Sequence, residues 1–371
     1  MGDVDLGGAQ GADPLLVVSD LGVDKGPEAR PVLSRLSFSL YSGEIVVVLG
    51  DSGAGKSTLL RALMGLERHK RGALKWREVG EALRGRSVRC AWVTQDSALF
   101  PHLSVRDNVC FSAPYLSAEL SERQRAERLS HLGERLELSA LWDRRPHQLS
   151  GGQRQRVALA RALFTGASTL LLDEPLSHLD AASRAQLRSL ITSLVRERRL
   201  ACVWVSHDRE EALEVSDRIA VLDQGQLEGP LSITEALSSP PSKAFAERLG
   251  EITWFPVCQA GEVWRWGPPE DPTLWPLDRR SRAPRGGGLV GVRASGWSVS
   301  EVSTAGGQEG AVTLRVYNVK PSPFGHCLAL QGEGPDALSL KVTVSGREAP
   351  KEGALVSLTP LECVYVHGAS G

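Results

Sequence analysis

A glycine-rich segment near the start of the chain carries the residue types that bind phosphate groups. It follows an apolar run at 45–49 that is typical of a buried strand, and it precedes a segment at 58–64 that is typical of a helix. In that setting glycines let backbone N–H groups face phosphate oxygens, and the helix N-terminus adds partial positive charge. The sequence therefore predicts a nucleoside triphosphate site formed by Gly50, Asp51, Ser52, Gly53, Ala54, Gly55, Lys56, Ser57 and Thr58.

A second apolar run, at 169–172, ends in two adjacent carboxylates, Asp173 and Glu174. Lys56 can reach the outer phosphates, while Ser57 and Asp173 can hold Mg²⁺, directly or through water. Glu174 can polarise the attacking water as a general base. An acidic turn after a strand is ordinary by itself, but the phosphate loop roughly 120 residues upstream favours the catalytic interpretation. A phosphate loop alone leaves kinases, GTPases, helicases and transporters open, and these carboxylates begin to narrow that choice.

A third segment begins a helix with a serine, two glycines and a glutamine at 150–153. Such a helix start offers N–H groups, a hydroxyl and positive potential to an anion. Ser150 lies 94 positions after Lys56, and Gln153 lies 20 positions before Asp173. This string at this spacing resembles the signature of the ATP-binding cassette (ABC) family, and the resemblance covers roughly residues 15–235.

The family resemblance assigns roles to further residues. Gln95 resembles the Q-loop glutamine that contacts Mg²⁺ and the attacking water, and His207 resembles the switch histidine that contacts the γ-phosphate. Residues 177–180 resemble the D-loop. In the family, two ATP molecules are sandwiched in a dimer of cassettes. The resemblance thus implies a homodimer in which one chain supplies Lys56, Ser57, Gln95, Asp173, Glu174 and His207 and its partner supplies Ser150, Gly151, Gly152 and Gln153.

Residues 99–109 resemble the importer cassettes that energise uptake of polyamines, ferric iron, sulfate, molybdate or sugars. The resemblance implies two transmembrane permease subunits as partners, an extracytoplasmic solute-binding protein as an indirect one, and a place at the cytoplasmic face of the membrane. Its coupling surface would comprise Gln95 and residues 99–108. An exporter ATPase subunit and a soluble ABC ATPase in DNA repair or on the ribosome are the alternatives. A non-hydrolysing module is disfavoured by the intact catalytic residues.

The elements that must position these residues follow from the alternation of short β-branched runs with longer helical ones. This pattern predicts an α/β P-loop NTPase cassette with a mixed, largely parallel sheet. We expect a loose tail at 1–14, an ATPase domain at 15–240 and a helical subdomain at about 99–149. Tryptophan-rich, period-two runs then predict a small antiparallel β domain, OB-like, at 250–371, with a regulatory or dimerising role.

The composition excludes several classes of partner and site. The 371 residues include 43 lysines and arginines against 44 acids without a long basic run, so no nucleic-acid partner is expected. The six cysteines include no CxxC pair, which favours reduced thiols over a zinc site. The chain also lacks an apolar run of 18 residues and an apolar leader, so we expect a peripheral membrane protein.

Two departures from the family are visible. The usual adenine-stacking aromatic after the first strand is missing, since the first aromatic residue is Phe38. GTP-specific loops are not recognisable either, so ATP is expected. In the last third, Val292-Arg293-Ala294-Ser295 replaces the Val-Arg-Pro-Glu of relatives, which leaves a ligand site in that domain unsupported.

Overall fold

The computed structural model describes residues 13–25, 30–77, 90–113 and 121–250, and beyond these only the strands between 252 and 367. The chain divides into two compact units, Met1–Ile233 and Thr234–Gly371. The domain limits expected from the sequence, including the tail at 1–14, stay predictions.

A six-stranded sheet forms the centre of the first unit, in the order β5-β6-β7-β3-β8-β9. All neighbours are parallel except β8 and β9. β3, β6 and β7 are buried along their whole lengths, as expected of parallel strands covered on both faces. The predicted mixed, largely parallel sheet is therefore confirmed. Its strands are β3 (Ile45–Leu49), β5 (Cys90–Val93), β6 (Thr169–Asp173), β7 (Ala201–Ser206), β8 (Arg218–Asp223) and β9 (Gln226–Ser232).

A second, antiparallel sheet of order β2-β1-β4 was not predicted. Its strands are β1 (Leu16–Lys25), β2 (Arg30–Leu40) and β4 (Arg71–Trp76). In β2 the buried residues Leu33 and Leu36 are three positions apart, because Arg35 adopts a positive φ of 56° and the pairing with β1 shifts register. Such irregularities break the period-two pattern that identifies a half-buried strand.

Helices flank the central sheet and fill the segment between β5 and β6. Ser121 and Gln124 form a capping box at the start of α3. The described residues of 99–149 contain α2, α3 and two short 3-10 turns at 139–141 and 146–148, and no strand. The helices are α1 (Lys56–Leu63), α2 (Val105–Cys110), α3 (Glu122–Arg135), α4 (Gly151–Phe164), α5 (Ala181–Glu197), α6 (Arg209–Val215), α7 (Ile233–Ser238) and α8 (Lys243–Arg248).

The described strands of the second unit form two five-stranded antiparallel sheets, of order β12-β11-β10-β13-β19 and β14-β18-β15-β16-β17. The period-two runs at 312–316 and 338–344 coincide with β15 and β17. The OB-like form stays a prediction. The strands are β10 (Ile252–Ala260), β11 (Val263–Trp266), β12 (Trp275–Pro276), β13 (Gly288–Arg293), β14 (Trp297–Glu301), β15 (Val312–Ser322), β16 (Gly325–Gln331), β17 (Ser339–Val344), β18 (Leu355–Pro360) and β19 (Cys363–His367).

Among the described residues, none of the helices combines the length and the apolar character needed to cross a bilayer.

Candidate nucleotide site

The phosphate loop lies between β3 and α1 and depends on glycine at its two ends. Gly55, which precedes the first residue of α1, has φ 108°, a conformation that residues with a Cβ rarely adopt. A Cβ on Gly50 would lie 2.5 Å from the carbonyl oxygen of Leu222 in β8. The loop thus packs directly on the central sheet, with its backbone at the N-terminus of α1, as the sequence predicted.

Lys56 is buried, and its ammonium group is held by the loop itself. Nζ donates to the carbonyl oxygens of Gly50 at 2.7 Å and of Asp51 at 3.0 Å. It also lies 3.6 Å from Oε1 of Glu174, whose side chain is 15% exposed. The predicted phosphate-binding lysine and the predicted general base are therefore neighbours in the folded chain.

Glu174 has a backbone conformation that the surrounding structure must stabilise. Its φ is 46°, in the left-handed region that non-glycine residues seldom occupy. Its N–H donates to the carbonyl of Val205 at 3.0 Å, and its own carbonyl accepts from the N–H and hydroxyl of Ser177 at 3.1 and 2.7 Å. These bonds fix a strained residue at the end of β6, which is typical of functional positions.

Three side chains from three different segments converge on the Glu174 carboxylate. Besides Lys56 on Oε1, Nε2 of Gln95 donates to Oε2 at 3.3 Å and Nδ1 of His207 lies 3.1 Å from the same oxygen. Gln95 follows β5 and His207 follows β7, the strands on either side of β6. Because parallel strands end at one edge of the sheet, residues distant in sequence meet there, where α/β proteins commonly bind ligands.

Asp173 and Ser57, two of the three predicted Mg²⁺ ligands, line the same cleft. Burial raises the pKa of the Asp173 carboxyl above its usual range, and the neighbouring Ser57 hydroxyl partly opposes this. A cation beside Asp173 would favour its charged form. Within the described ranges no three His, Cys, Asp or Glu side chains form a metal cluster. Proteins usually bind Mg²⁺ through one or two carboxylates together with the phosphates of the substrate. One carboxylate and one hydroxyl beside a phosphate site therefore fit this ion.

The side chains that hold the segment after β5 were missed by sequence reasoning. Nε2 of the buried Gln155 donates to the backbone carbonyl of Gln95 at 3.0 Å. The guanidinium of Arg161 donates to the carbonyls of Ser97 and Ala98 at 2.9 and 2.8 Å. Both residues belong to α4. From one sequence, a polar helix residue that bonds to a neighbouring segment cannot be distinguished from one that faces solvent. The helix that begins with the signature segment thus also orients Gln95.

The signature residues lie at the start of α4, as predicted. Ser150 accepts from the N–H of Gln153 at 3.2 Å, and the Gln153 side chain accepts from the N–H of Ser150 at 3.0 Å, which forms a capping box. The four residues 150–153 are not among the described residues that line the cleft at the phosphate loop. That cleft has a volume of about 420 Å³ and is lined by Lys25, Val32, Asp51, Ser52, Gly53, Gly55, Lys56, Ser57, Thr58, Arg61, Gln95, Asp173 and Glu174.

A buried carboxyl supports the turn that carries His207. Ser206 Oγ donates to Oε2 of Glu211 at 2.8 Å and accepts from the N–H of Asp208 at 3.0 Å. Glu211 is 6% exposed, and burial raises the pKa of its carboxyl despite the hydrogen bond from Ser206. The folded protein therefore holds a proton on Glu211 at pH values where the unfolded chain has lost it.

We expect Glu211→Gln to change how stability depends on pH. A raised carboxyl pKa contributes stability below the unfolded value of about 4.3, and this contribution is lost as pH rises through the folded value. Glutamine does not titrate and so lacks this loss. The free energy of unfolding of the variant should therefore gain on wild type as the pH rises from about 4.3 toward neutrality. Urea unfolding across this range measures it. Glu210→Gln, at an exposed carboxyl, is the control, and a difference from wild type that is constant with pH would contradict the assignment.

The chain is similar to known proteins over most of its length. A family model described as ABC transporter matches residues 33–177. The sulfate/thiosulfate import ATP-binding protein CysA of Yersinia pseudotuberculosis is 36% identical over 329 residues, covering 87% of this chain and 88% of the relative. The protein of the same name from Escherichia coli strain K12 is 35% identical over 329 residues, covering 87% of each. These stretches are longer than the first unit, so the similarity extends into the second.

Solved structures show the same architecture. The structure of cbiO1 from Clostridium perfringens, described as part of the ABC transporter complex cbiONQ, matches with a TM-score of 0.52 and 25% identity. The match covers 59% of this chain and 89% of that one.

Proposed function

The chain belongs to the ABC transporter family, as the ATP-hydrolysing subunit of an importer, and on that premise we propose that it powers uptake of sulfate or thiosulfate. The solute is proposed from the printed names of relatives that are 35–36% identical over 329 residues. An export role is not favoured, because these relatives are named as import proteins. The sequence alone left polyamines, ferric iron, sulfate, molybdate and sugars as possible solutes, and the names of the relatives favour sulfate among them.

The observation that supports hydrolysis at this site is the convergence of Lys56, Gln95 and His207 on the Glu174 carboxylate. We propose that Glu174 accepts a proton from the attacking water, that Gln95 orients this water, and that Lys56 and His207 contact the outer phosphates. Because protein groups contribute mainly by positioning and by electrostatics in phosphoryl transfer, fixed neighbours around the base are what the reaction needs. Ser57, Asp173 and Gln95 would hold Mg²⁺, which supplies positive charge to the phosphate oxygens.

We propose that the active form is a homodimer with two composite sites. The start of α4 presents partly exposed glycines and the N–H groups of a helix end, and it does not line the chain's own cleft. Ser150, Gly151, Gly152 and Gln153 would therefore bind the ATP held by the partner. The second unit is proposed to add contacts between subunits or to regulate them.

The proposed partners in the membrane are two permease subunits, which place the protein at the cytoplasmic face; the solute-binding protein acts through them. The segment after Gln95 offers a surface for this coupling. The rings of Phe100 and Phe111 lie 4.2 Å apart, Phe111 is 46% exposed, and the Arg161 guanidinium lies 5.7 Å from the Phe100 ring centre. Arg161 also donates to the carbonyls of Ser97 and Ala98, so a movement of Phe100 on binding a permease subunit can be transmitted to the segment that carries Gln95.

Uptake of radiolabelled sulfate tests the solute assignment. In the source organism, deletion of the gene should abolish high-affinity sulfate uptake, and a plasmid-borne wild-type gene should restore it whereas a Lys56→Met gene should not. Excess unlabelled thiosulfate should compete with the labelled sulfate. Normal sulfate uptake in the deletion strain, with loss of polyamine, iron or sugar uptake instead, would contradict the proposed solute and leave the ATPase role intact.

A further inference from the structure

We propose that Lys25 is a nucleotide-binding residue, whose ammonium group contacts the inner phosphates of ATP from the β1 wall of the cleft. The proposal rests on ATP binding at the same cleft. Neither the predicted site residues nor the phosphate-loop motif includes Lys25, which lies in a different sheet from the catalytic carboxylates.

The position of Lys25 is set by β1 and by the first turn of α1. Lys25 is the last residue of β1, and its Nζ donates to Oγ1 of Thr58 at 3.2 Å. Thr58 is 5% exposed and follows Ser57 in the phosphate loop, so the ammonium group lies against the helix N-terminus that receives phosphate. Lys25 and Thr58 both line the cleft that contains Lys56.

The surroundings of Lys25 leave its charge accessible to a ligand. Its second contact is with Oε1 of Glu67 at 3.5 Å, and its side chain is 39% exposed. An ammonium group has three N–H donors, and these two contacts, the ones seen for Lys25 within the described residues, occupy fewer. Glu67 also lies 3.9 Å from Nε of Arg61, which lines the same cleft. Glu67 therefore partly neutralises both cations.

The chemistry favours a phosphate over the base as the ligand of Lys25. No aromatic ring is present among the described residues that line the cleft, so stacking on adenine is not what this wall provides. An ammonium group binds phosphate as a compact point charge. The neighbourhood of Thr58 corresponds to the inner phosphates, since Lys56 is assigned to the outer ones. The Lys25 charge therefore contributes to the affinity for ATP on a wall of the cleft that offers no ring to stack on the base.

Titration with fluorescently labelled and unlabelled nucleotides tests the proposal on the full-length chain. Lys25→Met should raise the Kd for ATP, ADP and GTP alike, by about 3- to 10-fold, as expected for one partly exposed charge-assisted contact. Lys25→Arg should restore most of the affinity. Lys70→Met is the matched control. Lys70 pairs with Asp24, the neighbour of Lys25 on β1, and it does not line the cleft.

Glu67→Gln separates ligand binding from a structural ion pair. If Lys25 serves only to pair with Glu67, both Lys25→Met and Glu67→Gln should weaken nucleotide binding. If Lys25 contacts phosphate, Glu67→Gln should leave affinity unchanged or raise it. Unchanged affinity in a folded Lys25→Met variant, or equal losses in both variants, would overturn the proposal. Absence of nucleotide binding by the wild-type chain would instead overturn the function on which it rests.

Discussion

Replacing Glu174 by glutamine should lower steady-state ATP hydrolysis by on the order of 10²–10⁴-fold, the usual contribution of a general base. Glutamine keeps the size of the side chain and can still accept a hydrogen bond from Gln95, so the site should stay formed. It cannot take a proton from water. The Lys56 ammonium is also held by the carbonyls of Gly50 and Asp51, so ATP should still bind.

Hydrolysis by the purified variant should be measured together with its Kd for ATP. Glu134→Gln, at an exposed carboxylate of α3, is the matched control and should hydrolyse ATP like wild type. If Glu174→Gln kept near-wild-type turnover, Glu174 would not be the base. If the variant lost ATP binding to the same degree as hydrolysis, the Glu174 carboxylate would be needed to bind ATP and not for the chemical step.

Replacing Gly152 by aspartate should abolish most hydrolysis without harming the fold. A Cβ at Gly152 meets only the side chain of Ser183, at 3.7 Å, and the residue lies in the first turn of α4, where a carboxylate is favourable. The unfolding temperature should therefore be unchanged or higher. In the proposed dimer the new carboxylate would face the phosphates of the ATP bound by the partner, and loss of such stabilisation typically costs about 10²–10³-fold in rate.

Mixing variants distinguishes a role in the partner's site from a role in the chain's own. A chain with Gly152→Asp keeps its own Lys56, and a chain with Lys56→Met keeps its own Gly152. Heterodimers of the two should contain one intact composite site and regain part of the wild-type rate. Gly152→Asn, which lacks the charge, should lose less activity than Gly152→Asp. Mixtures that stay as inactive as the separate variants would contradict the sandwiched arrangement.

The elements and residues that the sequence made predictable share one property, a local pattern. Buried parallel strands appear as continuous apolar runs, and the helix start at Ser150 follows from a serine and a glutamine three positions apart. The phosphate loop and the carboxylates at the end of β6 were predicted together because strand ends and helix starts are visible in the sequence. The meeting of Gln95 and His207 at Glu174 follows from the parallel order of β5, β6 and β7.

The features that the sequence did not predict depend on contacts between distant segments. β2 was missed because a bulge at Arg35 changes the spacing of its buried leucines. Gln155 and Arg161 bind backbone carbonyls some 60 residues away, and no local pattern marks such a bond. Lys25 looks like an ordinary charged residue at a strand end, and only the packing of β1 beside α1 brings it to Thr58.

The most direct test of the central claim is to identify what the chain assembles with in the membrane. Tagged Glu174→Gln chain should be purified from gently solubilised membranes with ATP, which is proposed to hold its dimer closed, and its partners identified by mass spectrometry. Lys56→Met, which should not close, is the control. We expect two subunits with several transmembrane segments, together with an extracytoplasmic binding protein that retains sulfate or thiosulfate. Recovery of ribosomes or DNA-repair proteins, and no membrane subunit, would contradict a role in import.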